Sequence, residues 1–373
     1  MSGRSSNKNQ TACASRRRAA LRRAAARKAQ ALLVSRPVDV RYLSGFTGED
    51  SFLLAGRRWA VLITDGRFDE QAPRECPGIE IHVRKGSMSE AIKDALKGRT
   101  VRTLGVQGTH LTAAAMEDLA RAAPSRRLKP LRDFVAPLRM VKDDSEVRAV
   151  RRAVRVAERA FGELIVRGIR AFVGRSEREV AAELEYRMRL AGAEAPAFET
   201  VVAAGAHGSF PHYRPGATRI RRGQAVLIDW GARLAGYCSD LTRVLFTGRI
   251  PPKLGAVYEV VRRAQAAGIA AVRAGVACKT PDAAARRVID DAGYGRRFVH
   301  GLGHGLGLEV HEPPALAARS RARLHAGMVV TVEPGIYLPG AGGVRIEDDI
   351  LVTTDGRRRL SSLSTDIRAM VLR

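Results

Sequence analysis

Five residues in the C-terminal half of the chain, Asp229, Asp240, His304, Glu333 and Glu347, have the types and contexts of a shell for two divalent cations. Four carboxylates brought together repel one another and rise in pKa unless cations offset their charge. Asp229 ends the apolar run 226–228, and Asp240 lies in the stretch 237–244 (YCSDLTRV) that opens another. The glycine-containing connection 232–236 reads as a β-hairpin turn. A turn centred on Leu234-Ala235 sets Asp229 opposite Asp240 on one side of the ribbon. Glu333 closes the β-branched run 329–332 ahead of Pro334-Gly335. Glu347 follows the glycine-rich turn 339–343. Period-2 alternation there places Arg345 and Glu347 on one face, with Val344, Ile346 and Asp348 on the other. His300 and His304 are four apart, as in the zinc helix His-Glu-x-x-His. No glutamate follows His300, however, and the glycines of 300–307 oppose a helix, so a loop or extended segment is expected.

Cations held by such a shell lower the pKa of a coordinated water toward neutrality and so supply a nucleophile. The oxygen-rich set favours Mn2+, with Co2+ or Fe2+ as alternatives and Zn2+ after them.

The segments carrying these residues are 227–232 (LIDWGA), 236–243 (GYCSDLTR), 300–304 (HGLGH), 310–313 (VHEP), 331–335 (TVEPG) and 344–348 (VRIED). They resemble the Xaa-Pro aminopeptidases and prolidases, metallopeptidases that share a pita-bread fold with methionine aminopeptidase and creatinase. The resemblance runs from about Pro137 to the C-terminus. A weaker one, over 39–48 (DVRYLSGFTG) and 63–68 (ITDGRF), is to the smaller domain that precedes the catalytic one in that group. It implies that Asp240 and Glu347 bridge two ions, Asp229 chelates one, and His304 and Glu333 complete the other. Glu333 would also shuttle the water proton to the leaving proline nitrogen. His212 and His311 match histidines that contact substrate and stabilise the tetrahedral intermediate. His300, Tyr337 and Arg345 match positions lining the proline side of the cleft. His207 stands where relatives often carry a small amide residue, and Trp230 reads as core packing.

The activity implied is hydrolysis of the N-terminal Xaa-Pro bond of peptides, by an aminopeptidase or, alternatively, an Xaa-Pro dipeptidase (prolidase). The missing preceding domain of methionine aminopeptidases and the missing metals of creatinase speak against those two relatives. A catalytically silent nucleic-acid-binding protein of the same fold is a reading from another class, and the intact ligand set opposes it. A homodimer in which the N-terminal domain helps close the partner's cleft is expected from the resemblance.

At 373 residues, with 45% hydrophobic and 27% charged, the chain is long enough for two domains. Its four cysteines form no C-x-x-C pair and read as free thiols, which suits a cytoplasmic enzyme. The early apolar run 31–34 is too short for a signal peptide, and no stretch has the length of a membrane span. The net charge of +26 comes largely from arginine, in clusters such as Arg16-Arg17-Arg18, Arg151-Arg152 and Arg357-Arg358-Arg359. No nucleic-acid motif accompanies them and aromatics are sparse at 5%. The charge is read as a solvated basic surface, with non-specific, salt-sensitive attraction to nucleic acid or steering of acidic peptides as its functional alternatives.

The expected organisation is a disordered basic tail over 1–14, an N-terminal α/β domain over 15–136, and an α+β pita-bread domain over 137–373. In the first domain, helices are expected at 15–30, 88–96 and 112–122, and strands at 31–34, 51–54, 59–64, 79–83 and 103–106. In the second, Asp143 and Glu146 form the ends of a capping box that opens a helix to about 167. Further helices are expected at 176–191, 253–274 and 281–292.

Overall fold

The computed structural model describes residues 2–373, with side chains from Gln10 onward. It divides into two compact units after Arg139.

The first unit begins with helix α1 (Ser2–Ala25) and strand β1 (Ala31–Val34). There follow α2 (Pro37–Ser44), β2 (Phe52–Ala55), β3 (Ala60–Thr64), α3 (Gln71–Glu75), β4 (Glu80–Val83), α4 (Met88–Ala95), β5 (Thr103–Gln107), α5 (Ala113–Ala122) and β6 (Arg127–Leu131). The six strands make one sheet in the order β4-β3-β2-β1-β5-β6. Central β1 is buried on both faces, which its all-apolar sequence allows. The N-terminal tail differs from the disorder expected over 1–14. Met1 lies outside the described residues, but by Gln10 the chain is engaged: its Nε2 donates to the Glu75 carbonyl at 2.6 Å, and Cys13 is buried. Cys13, Ala20 and Ala24 form a buried stripe of small side chains, too weakly apolar to stand out in composition. The helix stops at Ala25, short of the expected residue 30. Lys28 adopts φ 60°, and the Gln30 side chain accepts from the Arg102 and Thr103 amides instead.

After the short helix α6 (Ala136–Met140), the second unit opens with α7 (Asp144–Ile165) and α8 (Glu177–Leu190). Both carry capping boxes, the expected one of Asp143 with Glu146 and a like one of Ser176 with Glu179, which the same Ser-x-x-Glu spacing signals in the sequence. The strands β7 (Ala195–Pro196), β8 (Val201–Ala204), β9 (Ala225–Trp230), β10 (Ala232–Leu234), β11 (Tyr237–Cys238) and β12 (Leu241–Thr247) lead to α9 (Pro252–Ala271) and α10 (Lys279–Asp291). The chain ends with β13 (Gly303–Gly305), β14 (Glu312–Leu316), β15 (Val329–Val332), β16 (Gly335–Leu338), β17 (Gly342–Arg345), β18 (Asp348–Val352), β19 (Arg357–Arg359) and β20 (Val371–Leu372). They form two larger sheets, β20-β12-β9-β8 and β14-β13-β15-β18-β19, with two small ribbons. An isolated bridge between Thr242 and Glu347 joins the larger sheets, and the candidate residues gather around it.

Trp230 is a core residue, as expected: it stacks on Phe161 (4.2 Å between centroids) and donates to the Ala157 carbonyl. The hairpin register differs from the expected one. The tight turn is Ala235-Gly236, both at positive φ, so Asp229 pairs with Thr242 rather than with Asp240. The shift is two residues, which preserves parity, so the two aspartates become diagonal neighbours on one side. Gly231 is needed in the ribbon because a Cβ there would overlap the Ser239 carbonyl. All four cysteines are free and buried, and no helix among the described residues is long and apolar enough to cross a membrane.

Candidate active site

Asp229 lies on β9, Asp240 one residue before β12, His304 on β13, Glu333 one residue after β15, and Glu347 between β17 and β18. Each therefore projects from a strand or a strand end, where the backbone is fixed by pairing on both sides. All five line one cleft of about 540 Å³ in the second unit, together with His212, His300, His311 and Arg345. Tyr337 stands behind that wall, buried, with its hydroxyl 2.9 Å from His300 Nε2 and 2.8 Å from Arg345 Nη1. A hollow of about 650 Å³ in the first unit, bordered by Arg18, Arg22, Lys28 and Arg57, has no acid, histidine or thiol on its walls.

Asp240, His304 and Glu347 offer oxygen and nitrogen atoms that all lie within 4.8 Å of one another. His304 Nδ1 is 3.1 Å from the Gly305 carbonyl, which can only accept, so Nδ1 carries a proton; Nε2 lies 3.6 Å from Asp240 and 3.3 Å from Glu333, donating to Glu333 when the ring is protonated and offering its lone pair when a cation is bound. Glu333 Oε1 also accepts from Thr331 Oγ1 at 3.1 Å. Thr242 Oγ1 donates to Glu347 Oε2 at 2.6 Å and accepts from Arg345 Nε at 3.1 Å. Arg345 Nη2 donates to Asp229 Oδ2.

Two of the carboxylates thus have one oxygen tied back and one left over. Asp229 Oδ1 and Glu347 Oε1 are buried with no hydrogen-bond partner. An orphaned buried carboxylate oxygen is costly unless a cation completes it. Burial first, then Glu347, Asp229 and Glu333, push the Asp240 carboxyl well above the ordinary carboxylate range. Glu347 rises for the same reasons, burial and then Glu333 and Asp229. Burial also raises Asp229, against the pull of Arg345. Glu333 goes the other way: burial alone would raise it, but the hydrogen bond and charge of His304 outweigh that and hold it at about 2. A crowd of raised acids around orphaned oxygens is the electrostatic signature of a cation site, and the hard oxygen donors with one imidazole fit divalent ions.

His212 and His311 are both exposed at the cleft, and the His311 ring stands 4.3 Å from that of His304. Burial lowers the pKa of His311 and of His300. His300 Nδ1 faces the Gly301 carbonyl at 2.8 Å, so its Nε2 accepts from Tyr337. Four of the five N–H donors of Arg345 go to Thr242, Tyr337, Asp229 and the Pro211 carbonyl (3.4 Å). Arg345 thus braces the wall it belongs to, and it also lines the cleft on which the resemblance places substrate.

Several residues at the site escaped sequence reasoning. Thr242 lies two places beyond Asp240, so alternation could have placed it on the same face. Asp349 accepts from the Asp240 amide at 3.2 Å and is buried. Glu177, fully buried at the start of α8, accepts from Ala204 N (2.8 Å), Tyr213 Oη (2.7 Å) and Gly216 N (3.2 Å), and lies 2.8 Å from His207 Nδ1. It pins both ends of the loop that carries His212. Its sequence gives no such signal, because an acid in the first turn of a helix is ordinary.

The family model for metallopeptidase family M24 matches residues 148–354, and that for the creatinase/prolidase N-terminal domain matches 16–141. The chain is 40% identical over 332 residues to the uncharacterized peptidase YqhT of Bacillus subtilis, covering 88% of this chain and 93% of that one. Among solved structures, an Xaa-Pro dipeptidase from Bacillus anthracis superposes with TM-score 0.92 at 35% identity, over 96% of this chain and 100% of that one. An X-Pro aminopeptidase from Thermotoga maritima gives 0.87 at 35% identity, over 94% and 100%. The chain belongs to metallopeptidase family M24: it is a hydrolase of peptide bonds whose pita-bread domain, with the dinuclear metal site the family implies, follows a creatinase/prolidase-type N-terminal domain.

Proposed function

We propose that this enzyme hydrolyses the bond between an N-terminal residue and proline, as an Xaa-Pro aminopeptidase. The observation that carries the reading is the convergence of Asp229, Asp240, His304, Glu333 and Glu347 on one cleft, with Asp229 Oδ1 and Glu347 Oε1 unpartnered. These five residues would hold two divalent ions, Mn2+ by preference for an oxygen-rich set. When bound, the ions neutralise the carboxylates and acidify water at the site.

The chain's own groups account for the rest. Glu333 Oε1 accepts from Thr331, so Oε2 is the oxygen that takes the water proton and returns it to the proline nitrogen as the bond breaks. His212 and His311, exposed at the cleft, donate N–H groups to the developing oxyanion. Arg345 holds Asp229 Oδ2 directly and Glu347 Oε2 through Thr242, which keeps the other oxygen of each turned to the cations. The linked Arg345, Tyr337 and His300 make a stiff wall for the proline side.

The second reading, an Xaa-Pro dipeptidase, is favoured by the name of the Bacillus anthracis relative. Hydrolysis rates for Xaa-Pro and Xaa-Pro-Xaa peptides after Mn2+ loading, beside an N-terminally blocked control, separate the two. Cleavage of the longer peptides is the expected outcome; cleavage of dipeptides alone selects the dipeptidase. Turnover of the blocked control, or of none of the three, overturns both. A homodimer is part of the proposal, and a monomer with full activity in sedimentation at micromolar concentration removes it.

A further inference from the structure

We propose that the outward face of α7 is a docking surface for the phosphate backbone of nucleic acid. Arg148, Arg151, Arg152, Arg155 and Arg159 are all exposed on this helix. At 3.6 residues per turn they fall within a sector of roughly 100°, and eleven steps of 1.5 Å make the row about 16 Å long. The sector lies opposite the buried Val150, Ala153, Val154, Ala157 and Phe161. Glu158, the acid within the span, turns aside to accept from Ser362 and Leu363. Arg159 pairs with Glu163 at 2.9 Å, whereas Arg148, Arg151, Arg152 and Arg155 have no carboxylate partner among the described residues.

A surface helix ordinarily sets opposite charges four apart. Here 148/152, 151/155 and 155/159 are like-charge pairs, which repel. A ligand with regularly spaced anions relieves that repulsion along the whole row. Edge strand β19 also exposes Arg357, Arg358 and Arg359, the last paired with Asp348 at 3.4 Å. Arg358 pairs across from Leu351, and Leu351 belongs to the same apolar cluster as Val147, Val150 and Val154 of α7. Cross-strand partners share a face, so Arg358 stands on the side of the sheet that packs against α7.

The chemistry of the row selects its partner. A guanidinium grips two phosphate oxygens at once. The row presents no aromatic or apolar anchor, which a specific protein interface needs at its centre and a membrane surface needs for insertion. Without stacking groups, recognition is sequence-independent and salt-dependent. None of these arginines lines the cleft, so the surface is separate from the peptidase site and independent of what that site cleaves.

The test is fluorescence anisotropy with a labelled DNA duplex of about 20 base pairs, titrated between roughly 50 and 200 mM salt. The wild type is compared with Arg148→Gln/Arg151→Gln/Arg152→Gln/Arg155→Gln. A control of equal charge change, Arg273→Gln/Arg287→Gln/Arg296→Gln/Arg297→Gln, removes exposed arginines elsewhere. The α7 variant is expected to bind at least about tenfold more weakly and to lose roughly three to four units from the slope of log K against log salt. The control is expected to change affinity less than about threefold, and both variants to keep wild-type peptide hydrolysis. Equal weakening in both variants, or no duplex binding by the wild type, overturns the proposal. So does a selective loss of binding to anionic vesicles or an acidic polypeptide with duplex binding unchanged. If the α7 variant fails to fold, arginine modification of the wild type by phenylglyoxal decides the matter by mass spectrometry. Protection of Arg148–Arg155 by the duplex supports the surface, and equal modification with and without it overturns it.

Discussion

At the scale of residues, the site is organised by which oxygen of each carboxylate is already taken. Arg345 takes Asp229 Oδ2, Thr242 takes Glu347 Oε2, and the remaining oxygens are buried and unpaired. Thr242→Val removes the link between Arg345 and Glu347 without changing volume much. It is expected to weaken metal affinity about 10- to 100-fold, as loss of a group that orients a ligand does, and a metal titration followed by calorimetry measures it. Asp240→Ala removes a carboxylate from the centre of the cluster and is expected to abolish hydrolysis together with bound metal, read by elemental analysis. His212 makes the contrasting case. It is exposed and stands apart from the carboxylates in sequence order, so His212→Ala is expected to keep metal content and melting temperature while lowering turnover roughly a hundredfold or more. Unchanged turnover in that variant would remove His212 from the machinery.

At the scale of elements, the His212 loop is held from two sides. Arg345 reaches the Pro211 carbonyl, while buried Glu177 collects donors from Ala204, Tyr213 and Gly216, with His207 beside it and stacked on Tyr213 at 4.5 Å. Tyr213→Phe leaves one oxygen of a buried carboxylate short of a donor, at a cost of about 1–3 kcal/mol. The expected outcome is faster amide exchange over 205–216 and lower kcat at unchanged metal content; exchange identical to wild type would show that the Glu177 contacts do not govern the loop. Elements of this kind were legible in the sequence to different degrees. The capping boxes at Asp143 and Ser176 were legible because their donors and acceptors are three residues apart. The register of the β10–β11 hairpin was not, because Leu234-Ala235 and Ala235-Gly236 both fit a short turn in a string of letters. Positive φ at Ala235 and Gly236 decides between them.

At the scale of the whole molecule, the cluster ties stability to metal and pH. Asp240 and Glu347 have carboxyls raised above their ordinary values by burial and by the neighbouring carboxylates. A raised folded-state pKa contributes stability that is complete below the unfolded value and is lost as pH rises through the folded one. Glu333, held at about 2, is ionised in both states throughout that range and adds nothing to the slope. Metal-free protein is therefore expected to melt at a lower temperature as pH rises through these raised carboxyl values. Metal loading should reverse the trend, since ligands bind cations only when deprotonated. Scanning calorimetry with and without chelator checks both. A melting temperature of chelated protein that climbs with pH would show that the cluster does not carry this charge strain.

The sequence by itself determined which residues are candidates for the chemistry and on what kind of element each stands. Asp229 and Glu333 each end an apolar run, Glu347 interrupts one and Asp240 stands where one opens, and such a run leaves an ionised group few roles besides a functional one. It also determined the alternation that turns Arg345 and Glu347 to one face and Val344 and Ile346 to the core. Only the tertiary structure decided how those residues are held. Thr242 meets Glu347 across 105 positions of chain, and Glu177 meets Gly216 across 39. A contact between segments that distant is set by how sheets and helices pack, and no local pattern of residues records it. The same holds for α1, whose buried small side chains are invisible as hydrophobicity and become a core contact only once there is a surface for them to meet.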